Sequence, residues 1–266
     1  MPNFDKITVV SVTGKGDGYH AVLAIKKSMA ELPGSKGLLI AESKPSNLTS
    51  DIEFAPVEPF DYYQYSIFIM HCLYRFIHTE FALIVQDDGW VLNGKNWNDD
   101  WFNYDYIGAP CHAARVGNAI QMRYAWINNP SAIQLMNGGF SLRSFKFLEA
   151  PTKYGIVYKL YKPEPSEPLV NEDVQLGLLF RSKLEKHGIV FCPIEKALHF
   201  SFEYLGPKIH DNIDLTKMLG HHAPVRKLRD DNVIEYQCFQ NGALNIYREP
   251  EIMDLFTAYG YKVLYQ

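Results

Sequence analysis

Residues 81–89 read FALIVQDDG, five apolar residues that run into an amide, two adjacent carboxylates and a glycine. The length and β-branched content of residues 81–85 predict a buried strand. Gln86, Asp87 and Asp88 then fall at its carboxyl end, where open α/β sheets place their ligands. Two adjacent anions repel each other. Such a pair suits either a solvated turn or a divalent cation held between carboxylate and phosphate, because hard oxygen ligands match Mg²⁺ and Mn²⁺.

The segments before this strand repeat its logic. Residues 7–13 read as a buried strand that stops at Gly14-Lys15-Gly16-Asp17-Gly18, and residues 20–31 carry apolar side chains at helical spacing. Residues 38–41 read as the next strand, and residues 61–78 as a long aromatic-rich helix leading into the strand that ends at Asp87. Alternating strands and helices with short connections predict a mostly parallel sheet covered on both faces, Rossmann-like in architecture. The loop GKGDG matches neither GxGxxG nor GK[ST], so it carries no dinucleotide or P-loop fingerprint. Its position still suits contact with a nucleotide base or ribose, with Val12 and Thr13 lining the site.

The second half is less regular. WNDDWFNYDY, residues 97–106, mixes aromatics with acids, and Ile107-Gly108-Ala109-Pro110 reads as a sharp break. Asn137-Gly138-Gly139 precedes a short strand at 140–142, and a helix is expected from 144. KPEPSEP, residues 162–168, reads as a proline-rich surface loop. It leads to Asn171-Glu172-Asp173, which opens a helix expected to run through Lys186, with Asn171 as N-cap and Gly188 as the stop. Acids in a first helical turn complement the helix dipole, which explains Glu172 and Asp173 structurally. A carboxylate at such a junction can also accept a proton from a hydroxyl, a role open to either acid. His221 and His222 follow Gly220, and an imidazole can complete a site whose other ligands are oxygens.

The composition narrows the class. A hydrophobic content of 47% with 14% aromatics supports a sizeable core and excludes a disordered chain. A net charge of −4 without a long basic run argues against a nucleic-acid binder. Residues 1–14 lack the features of a secretory signal, and no apolar run approaches the roughly 18–20 residues of a membrane span. Cys72, Cys111, Cys192 and Cys238 are scattered without a CxxC pair, so neither a zinc site nor a disulfide framework is indicated, and a reducing cytoplasmic setting is expected. Trp90, Trp97, Trp101 and Trp126 suit either sugar stacking or core packing. Oligomeric state is not legible.

Taken in order, VQDDG, YDYIGAP, NGGFSLRS, NEDV and GHH resemble the GT-A-type glycosyltransferases. The closest resemblance is to a group of predicted glycosyltransferases with a strand-end acidic motif followed by DYIGAP, NGGxSLR and EDV segments. It implies an α/β GT-A fold with a catalytic domain over residues 1–224, divided into a nucleotide-sugar half (1–110) and an acceptor half (111–224), and a C-terminal extension (225–266). It also implies transfer of a sugar from a nucleoside diphosphate sugar to a glycan or other hydroxyl acceptor, with inversion and with a divalent metal, Mn²⁺ or Mg²⁺. Gln86-Asp87-Asp88 stands where the family has DxD, so Asp88 is the implied metal ligand and Asp87 a donor contact, with Gln86 as the departure. His222 matches a C-terminal metal-ligand histidine, with His221 as its alternate. Asp173 is the implied general base and Glu172 an acceptor contact. Gly138 and Gly139 would admit the donor sugar, while Arg143 would meet a phosphate or form a structural ion pair. Asp105 and Tyr106 would shape the acceptor pocket or pack it. A non-catalytic carbohydrate-binding or scaffolding module of the same fold is the alternative.

Overall fold

The computed structural model describes residues 3–161, 169–237 and 247–265. The proline-rich stretch 162–168 and Cys238 lie outside them. Strand β1 (Ile7–Val12) is buried along its whole length, and its side chains alternate between two cores. Ile7 and Val9 face one core with α1 (Tyr19–Glu31); Val10 and Val12 face the other with α2 (Tyr62–His71). Strand β4 (Phe81–Ile84) does the same, Phe81 and Leu83 going one way and Ala82 and Ile84 the other. A strand covered on both faces reads as an unbroken apolar run, which is why FALIV shows no alternation.

With β2 (Lys36–Ala41), β3 (Ile52–Pro56), β5 (Tyr106–Val116), β6 (Ala119–Gln121) and β7 (Ile133–Ser144), these strands form one seven-stranded sheet of order β3-β2-β1-β4-β7-β5-β6. The first four are mutually parallel, while β7 runs antiparallel between β4 and β5. The fold is α/β with a large, mostly parallel central sheet and flanking helices. Because Ile84 pairs with Ser141, the residues just before Ser141 in β7 lie level with the turn after β4. Asn137-Gly138-Gly139 and Gln86-Asp87-Asp88 are thereby brought to one edge of the sheet.

Three expectations are corrected. Ile107-Gly108-Ala109-Pro110 does not break the chain: it lies inside the eleven-residue β5, where register shifts after Gly108 and Pro110 absorb the irregularity. The long helix before β4 ends at His71 and gives way to a 3₁₀ turn, Leu73–Phe76. Beyond Asn171, α4 (Glu172–Val174) passes into a π-turn, Gln175–Leu179, before α5 (Arg181–Lys186), so one continuous helix is not formed. Asn171 supplies no side-chain cap; its amide donates to the Tyr62 hydroxyl at 2.7 Å.

After α3 (Phe145–Lys153) and α6 (Ile194–Ala197), the chain returns through β8 (Ser201–Phe202) and β9 (Gly220–His221), which pair in parallel. The stretch expected as an extension packs into the main core. Strands β10 (Arg226–Arg229), β11 (Val233–Tyr236) and β12 (Lys262–Tyr265) form a small sheet beside α7 (Glu249–Ala258). Val225, Leu228, Ile234 and Phe256 share one buried cluster with Val9, Ile25 and Trp90.

Candidate functional site

The acids after β4 sit on a tight reversal, in which Gln86 and Gly89 exchange backbone hydrogen bonds of 2.8 and 3.0 Å. The reversal is fastened by the C-terminal part of the chain, since Ala223 N–H donates to the Asp88 carbonyl (2.9 Å) and Leu228 N–H to that of Asp87 (2.6 Å). Asp87 is the outward acid. It lines a cleft of about 750 Å³ together with Val12, Thr13, Tyr62 and Lys227. Its carboxylate lies 3.7 Å from the Lys227 ammonium and 3.6 Å from the Arg229 guanidinium. Burial, with Asp88 alongside, raises its pKa above the ordinary carboxylate value despite these cations. Val12, the last residue of β1, and Thr13 line the cleft, and left-handed backbone at Gly16 (φ 77°) and Gly18 (φ 72°) turns the loop around it.

Asp88 points inward and is 8% exposed. Its Oδ1 lies 3.4 Å from Nε2 of His222 and has no hydrogen-bond partner, although it is buried. Around the same imidazole, Oε1 of Gln86 is 3.2 Å from Nε2, Oε1 of Glu203 is 3.4 Å from Nδ1, and Nδ2 of Asn137 is 3.2 Å from Nδ1. Burial pulls the pKa of His222 down, but Asp88 and Glu203 outweigh it and carry the pKa to about 10. Burial would likewise raise that of Asp88; the charged imidazole beside it holds the carboxyl below its ordinary value.

His221 does not serve as an alternate. Its ring turns the other way, edge-on to Trp90 at 4.2 Å and to Phe256 at 4.8 Å, and burial drives its pKa well down. Successive residues of a strand face opposite sides, so only one of the two histidines can reach Asp88.

Gly138 and Gly139 admit protein groups. A Cβ on Gly139 would fall on Nε2 of His222, and one on Gly138 on the carboxylate of Glu172. The glycine pair is therefore the seam where the Asp88 cluster meets a second pair of acids. In that pair Glu172 is held by Arg143 in a buried ion pair of 2.8 Å. Arg143 is fully buried, donates also to Ser141 Oγ and the Gly138 carbonyl, and stacks over the Tyr106 ring. It is a structural cation and does not present its charge to a donor. Asp173 forms no ion pair among the described residues. Its Oδ2 accepts from Gly138 N–H (3.0 Å) and its Oδ1 from Val174 N–H (2.7 Å). Burial, then the charges of Glu172 and Glu203, push its pKa up to about 7. A π-turn directly follows, a feature that recurs at functional sites.

Tyr106 packs beneath the glycine pair, and Asp105 lies away from it. Tyr106 is buried, its hydroxyl donating to the Met136 and Asn137 carbonyls. Asp105 accepts from Ser144, Lys146 and Val190 near the end of β7, so both residues make packing contacts. Trp90, Trp101 and Trp126 are buried. Two participants escaped the sequence reading. Lys227 stands in a charged run with nothing to single it out, and Glu203 carried only the faint signal of an acid within the apolar stretch 200–205.

The residues fit a divalent cation in kind. Asp88 offers a buried carboxylate oxygen without a hydrogen bond, and Nε2 of His222 lies 3.4 Å from it, an oxygen and an imidazole nitrogen of the types that Mn²⁺ accepts. No group of three acids, histidines or cysteines with ligand spacing occurs among the described residues, so the remaining positions would fall to a ligand. No helix of the described residues is long and apolar enough to cross a membrane.

An α/β sheet with paired acids at one end of its strands and a cleft beside them is the arrangement in which open sheets commonly hold ligands. The chain belongs to a family of proteins of unknown function, DUF5672, whose model matches residues 52–222. No curated protein matches it significantly. Among solved structures it is similar to galactosyltransferase LgtC in complex with donor and acceptor sugar analogs, with 12% identity, 94% of this chain and 95% of that chain covered and a TM-score of 0.49. It is also similar to an active-site mutant of LgtC, with 15% identity, the same coverage and a TM-score of 0.48. Likenesses of this size carry no argument about chemistry.

Proposed function

We propose that the chain is a GT-A-type glycosyltransferase that moves a sugar from a nucleoside diphosphate sugar to a hydroxyl acceptor, with inversion and with a divalent metal. The observation that carries this reading is the unequal treatment of two adjacent carboxylates. Arg143 neutralises Glu172, whereas Asp173 is left with two backbone N–H donors and a pKa near 7. A general base is most effective when its pKa lies near the working pH.

In this reading Asp173 accepts the proton of the acceptor hydroxyl as that oxygen attacks the anomeric carbon. Gly138 N–H and Val174 N–H hold the carboxylate in place during the transfer. Glu172, paired with Arg143, keeps Asp173 from losing its proton at low pH and takes no part in acceptor binding. The donor nucleotide occupies the cleft lined by Val12, Thr13 and Asp87, where Lys227 supplies positive charge to the diphosphate. Asp88 and Nε2 of His222 would hold Mn²⁺ or Mg²⁺, which when bound supplies charge to the departing diphosphate. One carboxylate serves each side of the seam made by Gly138 and Gly139.

Thermal unfolding in the presence of a panel of nucleoside diphosphates, with and without Mn²⁺, tests the reading. At least one nucleotide is expected to raise the midpoint in a Mn²⁺-dependent way, and Asp88→Asn is expected to abolish the Mn²⁺ dependence. If no nucleoside diphosphate stabilises the chain under either condition, the transferase reading fails.

A further inference from the structure

We propose that Glu203 is the positioning residue of the metal site: its carboxylate takes the Nδ1–H of His222, so that the imidazole presents Nε2 to the space beside Asp88. This inference rests on the metal-dependent reading of the same site.

The geometry separates the two edges of the ring. Asp88 and Gln86 approach Nε2 at 3.4 and 3.2 Å, while Glu203 approaches Nδ1 at 3.4 Å from the other edge. A cation held by Asp88 and Nε2 therefore lies across the ring from Glu203, which acts on it only through the imidazole. A carboxylate is an acceptor only. Facing Nδ1, it holds a proton there, so the proton that a metal would displace from the charged imidazole is the one on Nε2, on the side of Asp88. Ligating histidines are commonly oriented in this way by a carboxylate on the second nitrogen, which fixes the tautomer and raises ligand basicity.

Asn137 is the competing neighbour. Its Nδ2, as oriented, points a donor at Nδ1, and its Oδ1 is buried without a partner. A half-turn of the amide exchanges the two atoms and satisfies both an Nδ1–H and the unpaired oxygen. The Asn137 amide can follow either tautomer, whereas the Glu203 carboxylate cannot; the choice belongs to Glu203. Its place supports such a role. Glu203 is 8% exposed, directly after β8, which pairs with the strand that ends at His221, and its carbonyl accepts from the fully buried Arg226. The carboxylate is thus fixed relative to His222 by backbone pairing.

The test is Mn²⁺ binding by the full chain, read from the electron paramagnetic resonance signal of free Mn²⁺, with no nucleotide present. Glu203→Gln and Glu203→Ala are expected to weaken binding by about 10- to 100-fold, the usual cost of losing such a partner. Asn137→Ala is expected to leave it within about threefold by the same reasoning. Far-ultraviolet circular dichroism verifies that each variant is folded. Wild-type affinity in both Glu203 variants, together with loss of binding in Asp88→Asn, overturns the inference while leaving the metal site intact. Loss of Mn²⁺ binding in Asn137→Ala as deep as in Glu203→Gln also overturns it, whatever the Glu203 variants do. If the unaltered chain binds no Mn²⁺, the inference falls, and the metal-dependent reading is decided separately by the nucleotide-dependent unfolding test.

Discussion

Gln86 donates its side-chain N–H to the Tyr65 hydroxyl at 2.9 Å and thereby ties the acidic turn to α2. The same amide turns its oxygen toward His222. A carboxylate could keep the first contact only by accepting the Tyr65 O–H instead, and it would add a third anion beside Asp87 and Asp88. This gives the departure from DxD a physical reason. Gln86→Glu is expected to cost about 1–3 kcal/mol, the order expected for a poorly compensated polar group placed in a buried turn. Urea denaturation at neutral pH measures it, and an unchanged midpoint contradicts the bridging role.

Gly139→Ala should displace His222. The added Cβ meets the imidazole nitrogen and the Gln86 oxygen together, and neither is the free end of a flexible chain. Overpacking of this kind costs about 1–3 kcal/mol. The same variant is expected to lose Mn²⁺-dependent nucleotide binding, and a variant that keeps both stability and binding would show the seam to be looser than described.

Arg143→Met leaves Glu172 buried and unpaired. Removing one partner from a buried ion pair costs about 3–5 kcal/mol. The double variant Arg143→Met with Glu172→Gln should recover a substantial part of that loss, because the uncompensated charge is gone. Chemical denaturation of the two single variants and the double variant decides the matter; simple additivity would refute the pairing.

Asp173→Asn is expected to slow sugar transfer by about 10²- to 10⁴-fold, as for loss of a general base, with little change in donor binding. In the unaltered chain the rate of transfer should climb as pH rises through about 7, where Asp173 gives up its proton.

Stability moves the opposite way. The Asp173 carboxyl binds a proton up to about pH 7 in the folded chain but only to its ordinary value of 3.8 when unfolded. Folded chains therefore carry the extra proton between those limits, and stability declines as pH rises across that window. Asp173→Asn should flatten this decline, which unfolding measurements at a series of pH values will show.

What could be read from the sequence was what depends on neighbours in the chain. β1, β2 and β4 announce themselves because burial on both faces demands continuous apolar runs, and Asp88 was found because it ends one of them. β5 was missed because Gly108 and Pro110 imitate a break, and only its pairing with β7 shows them to be irregularities within a strand. The π-turn after Asp173 likewise depends on tertiary packing, since LGLLF fits an ordinary helix as well. The division of labour between Glu172 and Asp173 was invisible because it is made by Arg143, 29 residues away. Glu203 and Lys227 acquire meaning only from what they face.

The span between the two sides of the site has a bearing on biosynthesis. His222 lies 136 residues beyond Gln86, and Lys227 follows still later. At roughly 5–20 residues per second, the acidic turn emerges on the order of ten seconds before the histidine and lysine that balance its charge. During that interval His222, Lys227 and Arg229, the cations that face Asp87 and Asp88 in the folded chain, are not yet made. The nascent amino-terminal sheet is therefore an electrostatically unfinished piece, and the site is complete only once β9 and β10 have been made and have returned to the acidic turn.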